Sequence, residues 1–440
     1  MTDSIPAAAP RSAWPAWIAW AVILVAAAFL IVLSAEPEKS QRREAASVAA
    51  SDVQLTILAK CAIGLRAMSP STPVAMLVQE TDKLARNPDE KLRAAIIVGE
   101  LQGADAALKR VDSLEMNDDL ASLKTIYTSG PDSLALAQRQ HLLDTYGFFG
   151  RLALSFKMPD SNPIRAALLA ECRRAAGIVA ALGASGFVVA LLGVVLLTVA
   201  VVLVSIGVLR TLYVPDPAAS STYLEMFAVY LLATIGLSLA VGRLSHAQHS
   251  LLLSWLVTAV PSLILAIVWG LARGAKFSEM RQALGWHRGK GFFVEIPLGV
   301  TGYIAGIPII CIGFYITSFL MRFTTQMPTH PILGEPTDTP QRILALYLLA
   351  SLGAPLIEET MFRGALLHHM RRRHGWFISA AVVAILFAAI HPQGWTTIPA
   401  LASIAMVLAA IREWRGSIIS SVTAHALNNG LVMTLLLAIK

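Results

Sequence analysis

The stretch LIEETMFRGALLHH (residues 356–369) lies inside one of the most apolar parts of the chain. It sets Glu358, Glu359 and Arg363 where a lipid bilayer makes each charge costly. Hydrophobic runs recur on both sides of it. Of the 440 residues, 56% are hydrophobic and 14% are charged. A soluble domain carries about 25% charged residues, so the composition specifies a membrane protein. The formal charge of +7 does not call for nucleic acid, because excess Lys and Arg in a membrane protein sits in cytoplasmic loops. Cys61, Cys172 and Cys311 show no CxxC or other metal spacing. They read as unpaired and buried, with a Cys61–Cys172 disulfide as the alternative if both lie outside the cytoplasm.

Runs of about 20 apolar residues mark membrane helices. The first is Trp14–Ser34. It reads as a retained anchor rather than a cleaved signal, because Trp14, Trp17 and Trp20 suit an interface. Eight further runs follow: Ala176–Leu209, Tyr223–Val241, Leu251–Leu271, Phe293–Met321, Ile343–Leu367, Trp376–Ile390, Ile398–Ile411 and Ile418–Ile439. Between the first two spans the charge density rises to that of a soluble domain. There, RNPDEKLRAAIIVGEL opens with Asn87 as helix cap, Pro88 at the first position and Glu90 closing a capping box. Similar starts fall near Thr72-Pro73, Asp118 and Pro131. GELQGADAALKRVDSL is faintly like one tetratricopeptide unit, which alone establishes no repeat. The fold class expected is all-α: a polytopic membrane helical bundle of about eight helices, with an N-terminal anchor and a small all-helical soluble domain. Its parts are tail and anchor over 1–35, a soluble domain over 36–175, and a membrane domain over 176–440. The soluble domain shows no catalytic cluster and suits binding of substrate or a partner. TTQMPTHPILGEPTDTP (324–340) reads as a loop, since its four prolines forbid a continuous helix.

Loop charges orient the helices. Arg273, Lys276, Arg281, Arg288 and Lys290 form one basic group, Arg371–Arg373 a second, and Arg412 with Arg415 a third. Simple alternation puts all three on one side, which the positive-inside rule makes cytoplasmic. The N-terminus is then inside and the soluble domain outside, against the local pull of Arg165, Arg173 and Arg174. The expected location is a multi-pass position in the cytoplasmic membrane of a bacterium.

Polar residues break the apolar pattern at Glu358, Glu359 and Arg363, at His391, and at His425 with Asn429. Any one of them alone reads equally well as a bond between helices, worth about 0.6 kcal/mol on average. Their spacings argue for more. Glu359 and Arg363 are four apart and share a helical face, acid before base, in the favoured order. Glu358 lies about 100° round the helix and cannot share that cation equally, which leaves it available as a general base. Phe387 and His391 are four apart, as are His425 and Asn429, so three helices can offer polar groups to one point. Counting ~1.5 Å per residue from Arg371 and Arg415 places Glu358 and His425 roughly 15–20 Å from the cytoplasmic charges. Such a site activates water, with Glu358 and His391 taking the proton and His425 and Asn429 donating to an oxyanion.

EETMFR fits EExxxR, FAAIH fits FxxxH and HALNN fits HxxxN, in order on three hydrophobic segments. In this the chain resembles the CAAX-protease and bacteriocin-processing (CPBP) family, which includes the type II CAAX prenyl endopeptidases. The resemblance covers about 223–440. It implies an intramembrane endopeptidase in which Glu358 and His391 activate water, Glu359 and Arg363 support them, and His425 and Asn429 stabilise the oxyanion. It also implies a membrane-associated protein or peptide substrate and no required metal. A zinc hydrolase with Glu358, His391 and His425 as ligands is the alternative that the residue types allow. A non-catalytic scaffold or immunity protein and a proton-coupled transporter are the other rivals. The chain lacks HExxH and GxGD, marks of other intramembrane proteases.

Overall fold

The structure is a computed structural model, and it describes residues 15–33, 37–71, 73, 75–85, 87–214, 221–244, 251–324 and 339–439. Among these residues every element is helical. The helices are α1 (Ala16–Leu33), α2 (Pro37–Met68), α3 (Ala75–Leu84), α4 (Pro88–Gln102), α5 (Ala104–Val111), α6 (Asp118–Ser129), α7 (Leu136–Tyr146), α8 (Phe148–Leu154) and α9 (Pro163–Ser205). They continue as α10 (Thr222–Leu244), α11 (Leu251–Ala272), α12 (Phe277–Ala283), α13 (Phe292–Leu320), α14 (Pro340–Arg371), α15 (Trp376–Ala389), α16 (Ile398–Arg415) and α17 (Ile419–Ile439). Each of the nine apolar runs coincides with one of these helices. Six are long and apolar enough to cross a membrane: α9, α10, α11, α13, α14 and α16. α1 and α15 are shorter apolar helices. The chain is an all-α polytopic membrane bundle. The Pro- and Thr-rich loop lies outside the described residues except at its two ends.

The chain divides into two compact units, one of residues 45–188 and one of 1–44 with 189–438. The first is built as the sequence patterning requires. Asn87 caps α4, its side chain accepting from the Glu90 N–H at 2.8 Å while Glu90 accepts from the Asn87 N–H at 3.1 Å. The Asn117 side chain caps α6 by accepting from the Leu120 N–H, without a return bond. The core takes Leu92, Ala95, Ile96, Leu123, Ile126, Leu142, Phe149 and the N-terminal face of α9. At Gly64 any Cβ would strike the carbonyl of Cys172, so α2 and α9 approach there only because the residue is glycine. Cys61, Cys172 and Cys311 are all free thiols. Cys172 is buried as expected and Cys61 only partly so, whereas Cys311 is exposed on α13, because an apolar membrane helix can face lipid.

α9 differs from the expected span. It begins at Pro163 rather than Ala176 and runs unbroken for 43 residues, about 64 Å at ~1.5 Å per residue. The apolar run marked only its second part. The first part is helical because Leu168, Leu169 and Cys172 pack into a soluble-type core.

In the membrane unit α1 packs on α10, α10 on α11, α15 on α16, and α13 on α16. The last pair is close because of glycine spacing. A Cβ at Gly302, Gly306 or Gly313 of α13 would meet Ile411, Val407 or Ser403 of α16, and small residues of this kind let membrane helices approach. The largest core cluster surrounds α14, joining Met361, Phe362 and Leu366 to Phe227, Met280, Val383, Phe387 and Ala405.

The third group of basic loop charges is not in a loop. Arg412 and Arg415 are inside α16 and buried, Arg412 completely. Arg415 makes a two-pronged pair with buried Glu295, 2.9 and 2.8 Å. Arg371 grips Glu413 in the same way. A bidentate carboxylate partner lets a guanidinium leave water, which residue counting could not show.

Candidate active site

The regular helix expected over Ile343–Leu367 contains two wide π turns, Leu349–Gly353 and Glu359–Leu366. Pro355 accounts for the first. It has no N–H for the Ser351 carbonyl, and its ring would collide with that carbonyl in a tight α turn. π turns of this kind are frequent at functional sites. The second carries the central charges. Its Arg363 carbonyl accepts from Arg412 Nε at 3.3 Å, and Trp286 Nε1 donates to Thr360 Oγ1 at 3.0 Å. The first clamp was missed in the sequence because Arg412 read as a loop charge.

Glu359 and Arg363 form the expected pair, 2.8 Å apart, with both side chains completely buried. Arg363 also donates to the Ala405 carbonyl at 3.2 Å and sits over the Phe387 ring, 4.8 Å from its centroid. His425 Nδ1 reaches the same Glu359 oxygen at 3.0 Å. A carboxylate only accepts here, so Nδ1 carries the proton and Nε2 points away from Glu359. Nε2 lies 3.7 Å from Glu358 Oε2. His425 therefore sits between the two adjacent carboxylates, a contact that spacing alone did not reveal. Glu358 keeps a 25% exposed side chain and makes no pair with Arg363.

His391 lies just beyond α15. Its Nδ1 faces the Phe387 carbonyl at 2.5 Å, and since a carbonyl only accepts, Nδ1 is the protonated nitrogen and Nε2 is left basic. The Phe387 ring lies 4.3 Å from the His391 ring and 6.0 Å from that of His425. Phe387 is thus the shared wall of the two imidazoles. Asn429 Nδ2 donates to the Ala350 carbonyl at 2.9 Å. Asn429 Oδ1 accepts from Asn428 Nδ2 at 3.1 Å, and Asn428 Oδ1 accepts from Tyr303 at 3.1 Å. The sequence reading used the second asparagine of HALNN and passed over the first. α14, α15 and α17 thus carry the six polar residues to one region, tied through His425, Phe387 and the first π turn. Among the described residues no three His, Cys, Asp or Glu side chains are grouped to hold a metal ion. Glu358, His391 and His425 do not form such a group.

Residues 340–431 match the family described as type II CAAX prenyl endopeptidase, Rce1-like. A protein of Escherichia coli described as an uncharacterized 24.3 kDa protein is 27% identical over 195 residues, covering 37% of this chain and 89% of its own length. No solved structure matches the chain. The matched segment contains Glu358, Glu359, Arg363, His391, His425 and Asn429 alike, and over it the chain is similar to the type II CAAX prenyl endopeptidase family.

Proposed function

We propose that the membrane unit is an intramembrane endopeptidase that cleaves a membrane-associated protein or peptide with a water activated by Glu358 and His391. One observation carries this reading: Glu359 is committed to Arg363 and His425 Nδ1, while Glu358 is not. Glu358 and the basic Nε2 of His391 take the proton from water as its oxygen attacks the scissile carbonyl. Protonated His425, held between two carboxylates, and the Asn429 amide donate to the oxyanion. Collapse of the tetrahedral intermediate returns the proton to the leaving amine. With Arg363 and His425 cationic and Glu358 and Glu359 anionic, the cluster is neutral overall. That lowers the cost of keeping four charges in a bilayer.

The reading requires no metal. The purified chain is expected to cleave a membrane peptide at an undiminished rate in chelator and to hold no stoichiometric zinc. One zinc per chain by elemental analysis, with activity lost on its removal and restored on its return, would replace Glu–His water activation with zinc catalysis.

The soluble unit lies outside the cytoplasm in the same proposal, as a place to meet substrate or a partner. Cys61 is a poor reporter of this, because burial pushes its thiol up from its ordinary value and slows labelling. Leu136 is 83% exposed on α7. Leu136→Cys, compared with the unaltered chain, is expected to react with an impermeant maleimide in intact cells. Reaction only after lysis would put the unit inside and change the helix count before α10 by one.

A further inference from the structure

The hydrogen bonds behind Asn429 run in a single direction, and one end fixes all of them. An amide side chain can face either way, and its orientation is decided by its partners. Here the deciding partner is the Ala350 main-chain carbonyl, which cannot donate. It sits in the first π turn and takes a proton from Asn429 Nδ2 at 2.9 Å. Asn429 Oδ1 must then face Asn428 and can only accept, so Asn428 presents Nδ2 to it, at 3.1 Å. Asn428 Oδ1 is left toward Tyr303, whose hydroxyl donates at 3.1 Å. Asn428 is 9% exposed and Tyr303 7% exposed, so little water competes for these bonds. Asn429 has two amide hydrogens, and Ala350 uses one.

We infer that Asn428, backed by Tyr303, is a positioning residue that commits Asn429 to act as a donor, holding its second N–H free for the substrate oxygen. The inference rests on the role given to Asn429 above and adds the residue at an unspecified position of HxxxN. If Asn429 turned over, its oxygen would face the developing anion and repel it. Without Asn428, the Ala350 carbonyl alone is left to oppose that turn among the partners described. Tyr303 comes from α13, so the device ties a helix with no motif residue to the reaction.

The test is steady-state kinetics on the full chain in detergent with a membrane peptide. Asn428→Leu has nearly the same shape and neither donates nor accepts. It is expected to lose roughly 10- to 100-fold in kcat, below the full 10²–10³-fold cost of deleting an oxyanion donor. KM and the melting temperature should stay close to those of the unaltered chain. A kcat within about twofold of the unaltered chain overturns the inference. Asn428→Asp guards against a folding defect in that variant. Its carboxyl donates when protonated and not when ionised, so its activity relative to the unaltered chain should climb as pH falls. A flat ratio at reduced activity also overturns the inference, since shape rather than donation is then what matters. Asn429→Ala separates the two levels. An active Asn429→Ala removes the oxyanion role itself, whereas an inactive one beside an active Asn428→Leu removes only the positioning role.

Discussion

Glu358→Ala is expected to lower kcat/KM by roughly 10²- to 10⁴-fold, the usual range for loss of a general base, while the folded protein remains in the membrane at normal yield. Both halves of that statement come from the geometry. Glu358 has the carboxylate of the adjacent pair that is not bound to Arg363, and among the described residues it lies 3.7 Å from His425 Nε2. Its removal leaves the Glu359–Arg363–His425 assembly in place, so no buried charge loses its main partner. The comparison variant is His391→Ala. In the proposed reaction the two residues act on one water, so the double variant should be little worse than the more damaged single. Turnover above about a tenth of normal in Glu358→Ala, measured on a membrane peptide, would take Glu358 out of the reaction.

Arg363→Ala should behave in the opposite manner, losing stability and activity together. Arg363 is completely buried, bonded to Glu359 at 2.8 Å and to the Ala405 carbonyl at 3.2 Å. Truncating one member of a buried ion pair costs about 3–5 kcal/mol, because the other charge stays behind unpaired. His425 would then be the one hydrogen-bonded side-chain partner left to Glu359 Oε1 among the described residues. Arg363→Lys restores the charge but cannot reproduce the fork that reaches both the carboxylate and the carbonyl, so partial rescue is expected. Thermal unfolding in detergent decides the matter. A fully stable but inactive Arg363→Ala would shift Arg363 from support to direct contact with substrate.

The apolar runs made the helices legible, since nine stretches of hydrophobic residues became nine helices. The spacing of Glu359 and Arg363 gave their ion pair, and Asn87 with Glu90 gave the start of α4 with its capping box. Three features stayed hidden for physical reasons. Periodicity assumes an α turn, so the two π turns of α14 could not emerge from it, although Pro355 was a local sign of the first. A count of loop charges treats every arginine near a helix end as solvated. Arg412 and Arg415 instead found carbonyls and the Glu295 carboxylate inside the bundle. The third is the approach of α13 to α16, for which Gly302, Gly306 and Gly313 were the available signal. In the site, the role of Asn428 depends on a carbonyl 78 residues away in sequence, which no local spacing encodes.

The placement of His425 on α17 has a consequence for synthesis. α14 is the least apolar of the six long spans, and a charge at a helix centre costs about 2.5–3.5 kcal/mol during insertion. Glu359 and Arg363 offset one another within that helix from the start. Glu358 has no such companion until α17, the last described helix to leave the ribosome, delivers His425. In the proposed reaction, a nascent chain stopped before α17 has its base but lacks His425 and Asn429, and it is expected to cut no neighbouring membrane protein while it is still being made.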